Sequence, residues 1–118
     1  MFAEQIQNVV DKIDGGIGGL IMGLDGIAID QYVSGGKDFD VNTVGMEFSY
    51  ILTQVRKAGE ILELGGMSEV VVKSEGVTLL IRMLTEEYFL AILLEPKSNC
   101  GKTRYLMRLA ETNLRAEL

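Results

Sequence analysis

The residues that could do chemistry come first, because they are few. Gly101-Lys102-Thr103 has the ending of a phosphate-binding loop. In the complete pattern a glycine stands five positions before Gly101, and that position is Pro96. Without the glycine the cradle of backbone N–H groups is incomplete. Gly15, Gly16, Gly18 and Gly19 form a second glycine-rich stretch. They precede an apolar run that reads as a strand, whereas a phosphate cradle follows one. Their spacing is that of a helix stop followed by close backbone packing. Cys100 is the sole cysteine and histidine is absent. Nucleophile–imidazole pairs and most zinc sites are therefore excluded. Cys100 reads as a small residue in the first turn of a helix. The carboxylate pairs Asp38 with Asp40 and Glu86 with Glu87 fall in loops or turns, where such groups are ordinarily solvated. No catalytic, cofactor-binding or metal-ligating residue is assigned, and an enzyme is not expected.

Composition points the same way. The 118 residues fit one domain, expected to span 1–118. The net charge of −6 comes from 11 basic and 17 acidic residues, with no basic run. That disfavours nucleic acid and anionic membrane surfaces, both of which select basic faces. Apolar residues make up 47% of the chain with a single proline, a composition that favours a folded core over disorder. It is also rich for a small monomer and hints at self-association. One cysteine implies a reducing, cytoplasmic setting. Neither a signal peptide nor a membrane-spanning run is expected.

These residues must be positioned by helices and strands. Phe2, Ile6, Val9, Val10 and Ile13 recur at helical spacing and predict a first helix over 2–14, stopped by Gly15 and Gly16. Residues 17–24 read as a strand. Asp25-Gly26 is a two-residue hairpin signal, and 27–32 is the return strand. Ser34, Gly35, Gly36 and Lys37 form a loop. Asp40 or Asn42 can cap a long helix over 41–64, closed by Gly65-Gly66. A meander of strands over 67–74, 77–84 and 88–95 follows. Pro96 ends it, and Ser98 or Asn99 caps a last helix over 99–116 with Leu106, Leu109, Ala110 and Leu114 on its apolar face. The last two strands are apolar on both faces, which places them mid-sheet. The expected fold is α+β in the order α-β-β-α-β-β-β-α: a five-stranded antiparallel sheet between the long helix and two terminal helices.

The long helix is the informative element. Val44, Phe48, Ile51, Leu52, Val55, Gly59 and Leu62 form a stripe expected to face the sheet. On the opposite side lie Met46, Tyr50, Thr53, Lys57, Ile61 and Leu64. A monomer's outward face should be polar. Apolar residues there indicate a covered contact.

The element order, together with several runs, resembles the roadblock (dynein light-chain) family. The runs are Gln54-Val-Arg-Lys-Ala-Gly-Glu, Ser68-Glu-Val-Val-Val-Lys-Ser-Glu-Gly-Val-Thr-Leu-Leu-Ile-Arg, Tyr88-Phe-Leu-Ala-Ile-Leu-Leu and Ser98-Asn-Cys-Gly-Lys-Thr-Arg. Asn99, Gly101 and Arg104 match its helix-opening Asn-x-Gly-x-x-Arg, and Leu-Asp-Gly-Ile-Ala-Ile its first hairpin. The resemblance is to the bacterial, MglB-like branch. It implies a homodimer in which the meander's first strand pairs with its copy and the long helices lie side by side. Mapped here, the interface is Met46, Tyr50, Thr53, Lys57 and Ile61 with Val70, Val71 and Val72. It further implies a regulator, GTPase-activating partner or scaffold of a small Ras-like GTPase, one that repositions the GTPase's own residues instead of inserting an arginine. Arg56 on the long helix leaves a supplied arginine open. Two alternatives accompany this reading. One is a structural adapter with no effect on GTP hydrolysis. The other is a small-molecule sensor or enzyme on the same scaffold, which would need a polar pocket.

Overall fold

In the computed structural model, which describes residues 1–36 and 38–118, the helices and strands follow one another in the expected order. Lys37, the last residue of the loop read over 34–37, lies outside the described residues. The elements are α1 (Phe2–Val10), β1 (Gly16–Gly23), β2 (Ala28–Val33), α2 (Val41–Ile61), β3 (Glu69–Lys73), β4 (Thr78–Met83), β5 (Tyr88–Leu94) and α3 (Cys100–Glu117). One antiparallel sheet runs β2-β1-β5-β4-β3.

The sheet separates two cores. On one face Ile6, Val9 and Val10 of α1 and Met107 and Leu114 of α3 pack on Ile21, Leu80, Leu90 and Ile92. On the other, Val41 and Leu52 of α2 pack on Leu20, Met22, Leu79, Ile81, Phe89 and Leu93. Strands covered on both sides need apolar residues at every position. β5 meets that need and β4 meets it over Leu79, Leu80 and Ile81; β5 lies at the centre with β4 beside it. β1 is also buried throughout.

Several boundaries differ from the sequence reading. α1 ends at Val10, not 14. Asp11 caps it, its N–H donating to the Gln7 carbonyl, and its carboxylate accepts the Tyr32 hydroxyl at 2.7 Å. That bond, with burial as a lesser cause, holds the Tyr32 phenol above its ordinary pKa. The β1–β2 connection is wider than a two-residue hairpin. Gly23 N–H donates to the Ile27 carbonyl, Asp25 Oδ1 accepts from Ile27 N–H, and the register slips between Ile21 and Met22. In α3 the buried face is Thr103, Met107 and Leu114, while Leu109 is 57% exposed.

The end of α2 is the clearest departure. The helix stops at Ile61, before Gly65-Gly66. Leu64 N–H donates to the Gly59 carbonyl and Glu63 N–H to the Glu60 carbonyl. This paired closure requires a left-handed residue at Glu63, whose φ is 57°. Glycine adopts that conformation without the Cβ penalty. Glu63→Gly should therefore raise unfolding stability by about 1 kcal/mol, read as a higher urea midpoint at unchanged slope.

Candidate interaction surface

α2 begins where Asp40 accepts Thr43 N–H at 3.0 Å and Thr43 Oγ1 at 2.6 Å. The Thr43 hydroxyl first, then its N–H, lowers the Asp40 pKa. The buried side of α2 is Val41, Gly45, Ser49 and Leu52. Gly45 permits a close approach to the sheet: a Cβ there would lie 2.4 Å from Leu20 Cδ1. Of the stripe expected to face the sheet, Val44, Phe48 and Gly59 are half-buried and only Leu52 is fully buried. Ile51, Val55 and Leu62 are exposed.

The outward residues are placed as follows. Met46, Tyr50, Lys57, Ile61 and Leu64 are exposed, Ile61 to 81%. Thr53 is half-buried, and its hydroxyl donates to the Ser49 carbonyl at 3.0 Å. At about 100° per residue, Met46, Tyr50, Lys57 and Ile61 fall within about 60° of one another. Ile51, Val55 and Leu62 form a second exposed stripe about 130° away. α2 thus presents two apolar strips to solvent, more than scattered exposure produces.

β3 lies at an edge of the sheet. Val70 and Val72 pack on the α2-side core and Val71 on the α1–α3 side, all three half-buried. The Met46 stripe is therefore exposed on α2, while the expected strand residues sit half-buried on an edge strand. The second stripe on α2 has no sequence signature of its own, because its residues continue the spacing of the core stripe.

The motif residues have structural duties. Asn99 Oδ1 accepts Lys102 N–H at 2.9 Å. The Thr103 hydroxyl donates to the Asn99 carbonyl at 2.8 Å, and Thr103 is fully buried. Gly101-Lys102-Thr103 is thus the capped first turn of α3. Gly16, Gly18 and Gly19 lie within β1. Arg56 Nη1 donates to the Glu86 carbonyl at 2.9 Å and ties α2 to the β4–β5 turn.

A cleft of about 920 Å³ opens between the end of α2, residues 65–68 and the β4–β5 turn. Arg56, Arg82 and Arg115 line it together with Glu60, Glu63 and Glu86. Arg82 Nε pairs with Glu111 Oε1 at 2.6 Å, and Arg115 donates to the Leu84 carbonyl and pairs with Glu111. Each guanidinium is already engaged and the charges balance, so the cleft does not single out an anion. Among the described residues no cluster of three or more metal-ligating side chains occurs, and no helix is long and apolar enough to cross a membrane.

Comparison with known proteins ties this geometry to solved folds. Neither a protein-family model nor a curated protein matches the chain. Among solved structures, MglC from Myxococcus xanthus is 36% identical, with 98% of this chain and 97% of that one covered and a TM-score of 0.70. A Roadblock/LC7 domain from Streptomyces avermitilis gives a TM-score of 0.84 at 18% identity, covering 97% and 94%. The gliding protein MglB from Thermus thermophilus gives 0.84 at 15% identity, covering 96% and 84%; an MglB with a tetrameric arrangement matches equally.

Proposed function

The chain belongs to the Roadblock/LC7 family, on its MglB-like branch, and on that premise we propose that it is a homodimeric regulator of a small Ras-like GTPase. The observation that carries this is the pair of exposed apolar stripes on α2. One two-fold contact between antiparallel or crossed helices uses one strip of each. The Met46–Tyr50–Ile61 strip, with β3, serves the second copy. The Ile51–Val55–Leu62 strip stays open beside it and receives the GTPase.

The regulator acts by holding the GTPase's own residues in place. Arg56, the arginine of α2, is bonded to the Glu86 carbonyl, a contact that an inserted arginine would have to give up. The engaged Arg56 equally favours the adapter reading, in which hydrolysis is untouched.

The two readings part in one measurement. Single-turnover GTP hydrolysis by a small Ras-like GTPase that co-purifies with this chain is followed with and without it. Acceleration that survives Arg56→Ala and vanishes with Val55→Asp is the expected result. Binding without acceleration leaves the adapter. Absence of any bound GTPase rejects the proposal.

A further inference from the structure

The open edge of β3 has a chemical order of its own. Its inner edge pairs with β4 in the register Val70↔Ile81, Val71↔Leu80 and Val72↔Leu79. At the ends of that ladder Ser74 N–H donates to the Val77 carbonyl and Met83 N–H to the Ser68 carbonyl, each at 3.0 Å. Backbone groups in an antiparallel ladder alternate in direction residue by residue. Ser68, Val70, Val72 and Ser74 therefore turn theirs toward β4. Glu69, Val71 and Lys73 turn their N–H and C=O groups to the open edge. Their side chains share the α3 side of the sheet, where Glu69 Oε1 accepts Arg104 Nε at 2.8 Å.

We propose that this edge is a self-recognition code: a second copy pairs antiparallel with Val71 on the two-fold axis, setting Glu69 opposite Lys73 of the second copy at both ends. The inference rests on the homodimer reading above and adds the register and the residues that select it. A two-fold axis demands a strand complementary to its own reverse. Glu-Val-Val-Val-Lys meets that demand about its centre, with acid at one end, base at the other and valine between.

The backbone selects the same centre. With Val71 on the axis, all three outward-facing residues meet outward-facing residues, and each opposed pair exchanges two hydrogen bonds. Moving the axis to Val70 or Val72 leaves one end residue facing a position outside β3, and sets a charge against Val71. An axis between two residues opposes outward groups with inward ones and forms no ladder. Directly opposed side chains lie on one face within contact distance. Lys73 of the second copy then joins the Glu69–Arg104 pair from the far side. The valines at 70 and 72 of both copies meet on the other face, beneath the α2 helices.

Two measurements on the full chain test this. Lys73→Glu sets like charges opposite at both ends, as does Glu69→Lys. Each should weaken self-association by roughly tenfold, read by sedimentation equilibrium, and an equimolar mixture should recover pairing as a heterodimer. In a Cys100→Ser background, Val71→Cys should be bridged to its copy by the short thiol reagent dibromobimane. Val70→Cys alone should not be, whereas Val70→Cys mixed with Val72→Cys should. A stable dimer bridged through Val70→Cys alone, or one indifferent to both charge reversals, overturns the register and leaves the homodimer standing. A parent chain that sediments as a monomer overturns the homodimer, and the register with it.

Discussion

A chain carrying Tyr50→Asp and Ile61→Asp should fold as its parent does and lose self-association by roughly a thousandfold or more. Tyr50 is 68% and Ile61 81% exposed, so neither supports the monomer's core. Aspartate inside a helix costs only about 0.6 kcal/mol per site relative to alanine. In the proposed dimer the α2 helices lie side by side through this strip. Burial there would desolvate two carboxylates from each copy, with no cation on the strip but Lys57. Sedimentation equilibrium reads the association, and circular dichroism with a urea melt reads the fold. If the dimer persists unchanged, the two-fold contact runs through the other strip. Ile51→Asp with Val55→Asp would then separate the copies instead, and the assignment of the two strips would reverse.

That second strip shows where sequence periodicity stops. Ile51, Val55 and Leu62 continue the spacing of Val44 and Phe48, so apolar periodicity assigns them all to the sheet. The sheet-facing line is Val41, Gly45, Ser49 and Leu52 instead. Gly45 in that line carries no side chain, because α2 lies close against Leu20 and Met22 there. The tightest helix–sheet contact is marked by small residues, and a pattern that counts large ones turns the helix the wrong way. Met46, Tyr50 and Ile61 are legible as outward because they stand on the far side in either orientation. Thr53 shares their spacing, but it lies between the strip and the core and binds its own helix.

The mid-sheet place of β4 and β5 is legible on the same physical grounds. β4 and β5 are apolar at successive positions, and only burial on both faces tolerates that. β1 sits beside β5 at full burial without such a signature, because four of its eight residues are glycine. Its neighbours fill the space that side chains would occupy. The stop signal in Gly65-Gly66 misplaces the helix end because Glu63 takes the left-handed position itself. Residue type raises the odds of that conformation, while the closing hydrogen bonds impose it.

The glycines of β1 lead to the largest expected loss of stability. A Cβ at Gly16 would lie 2.2 Å from the Val10 carbonyl oxygen and 3.1 Å from Val10 Cγ1. The first neighbour is backbone, fixed by the helix end, and cannot rotate away. Gly16→Ala must push α1 off the sheet and so loosen Ile6, Val9 and Val10, all buried in that core. The expected cost is about 3 kcal/mol, a large share of the roughly 5–15 kcal/mol typical of a domain. Gly35→Ala is the matched control. Nothing lies within 4 Å of its Cβ position, and its φ is not left-handed, so it should fall within about 0.5 kcal/mol of the parent. Urea unfolding followed by circular dichroism compares them. Equal midpoints for the two variants would mean that α1 yields freely, and that the glycine-rich strand is not what seats it. A selective loss at Gly16 shows that the run resembling a phosphate cradle is built for the approach of one helix to one strand.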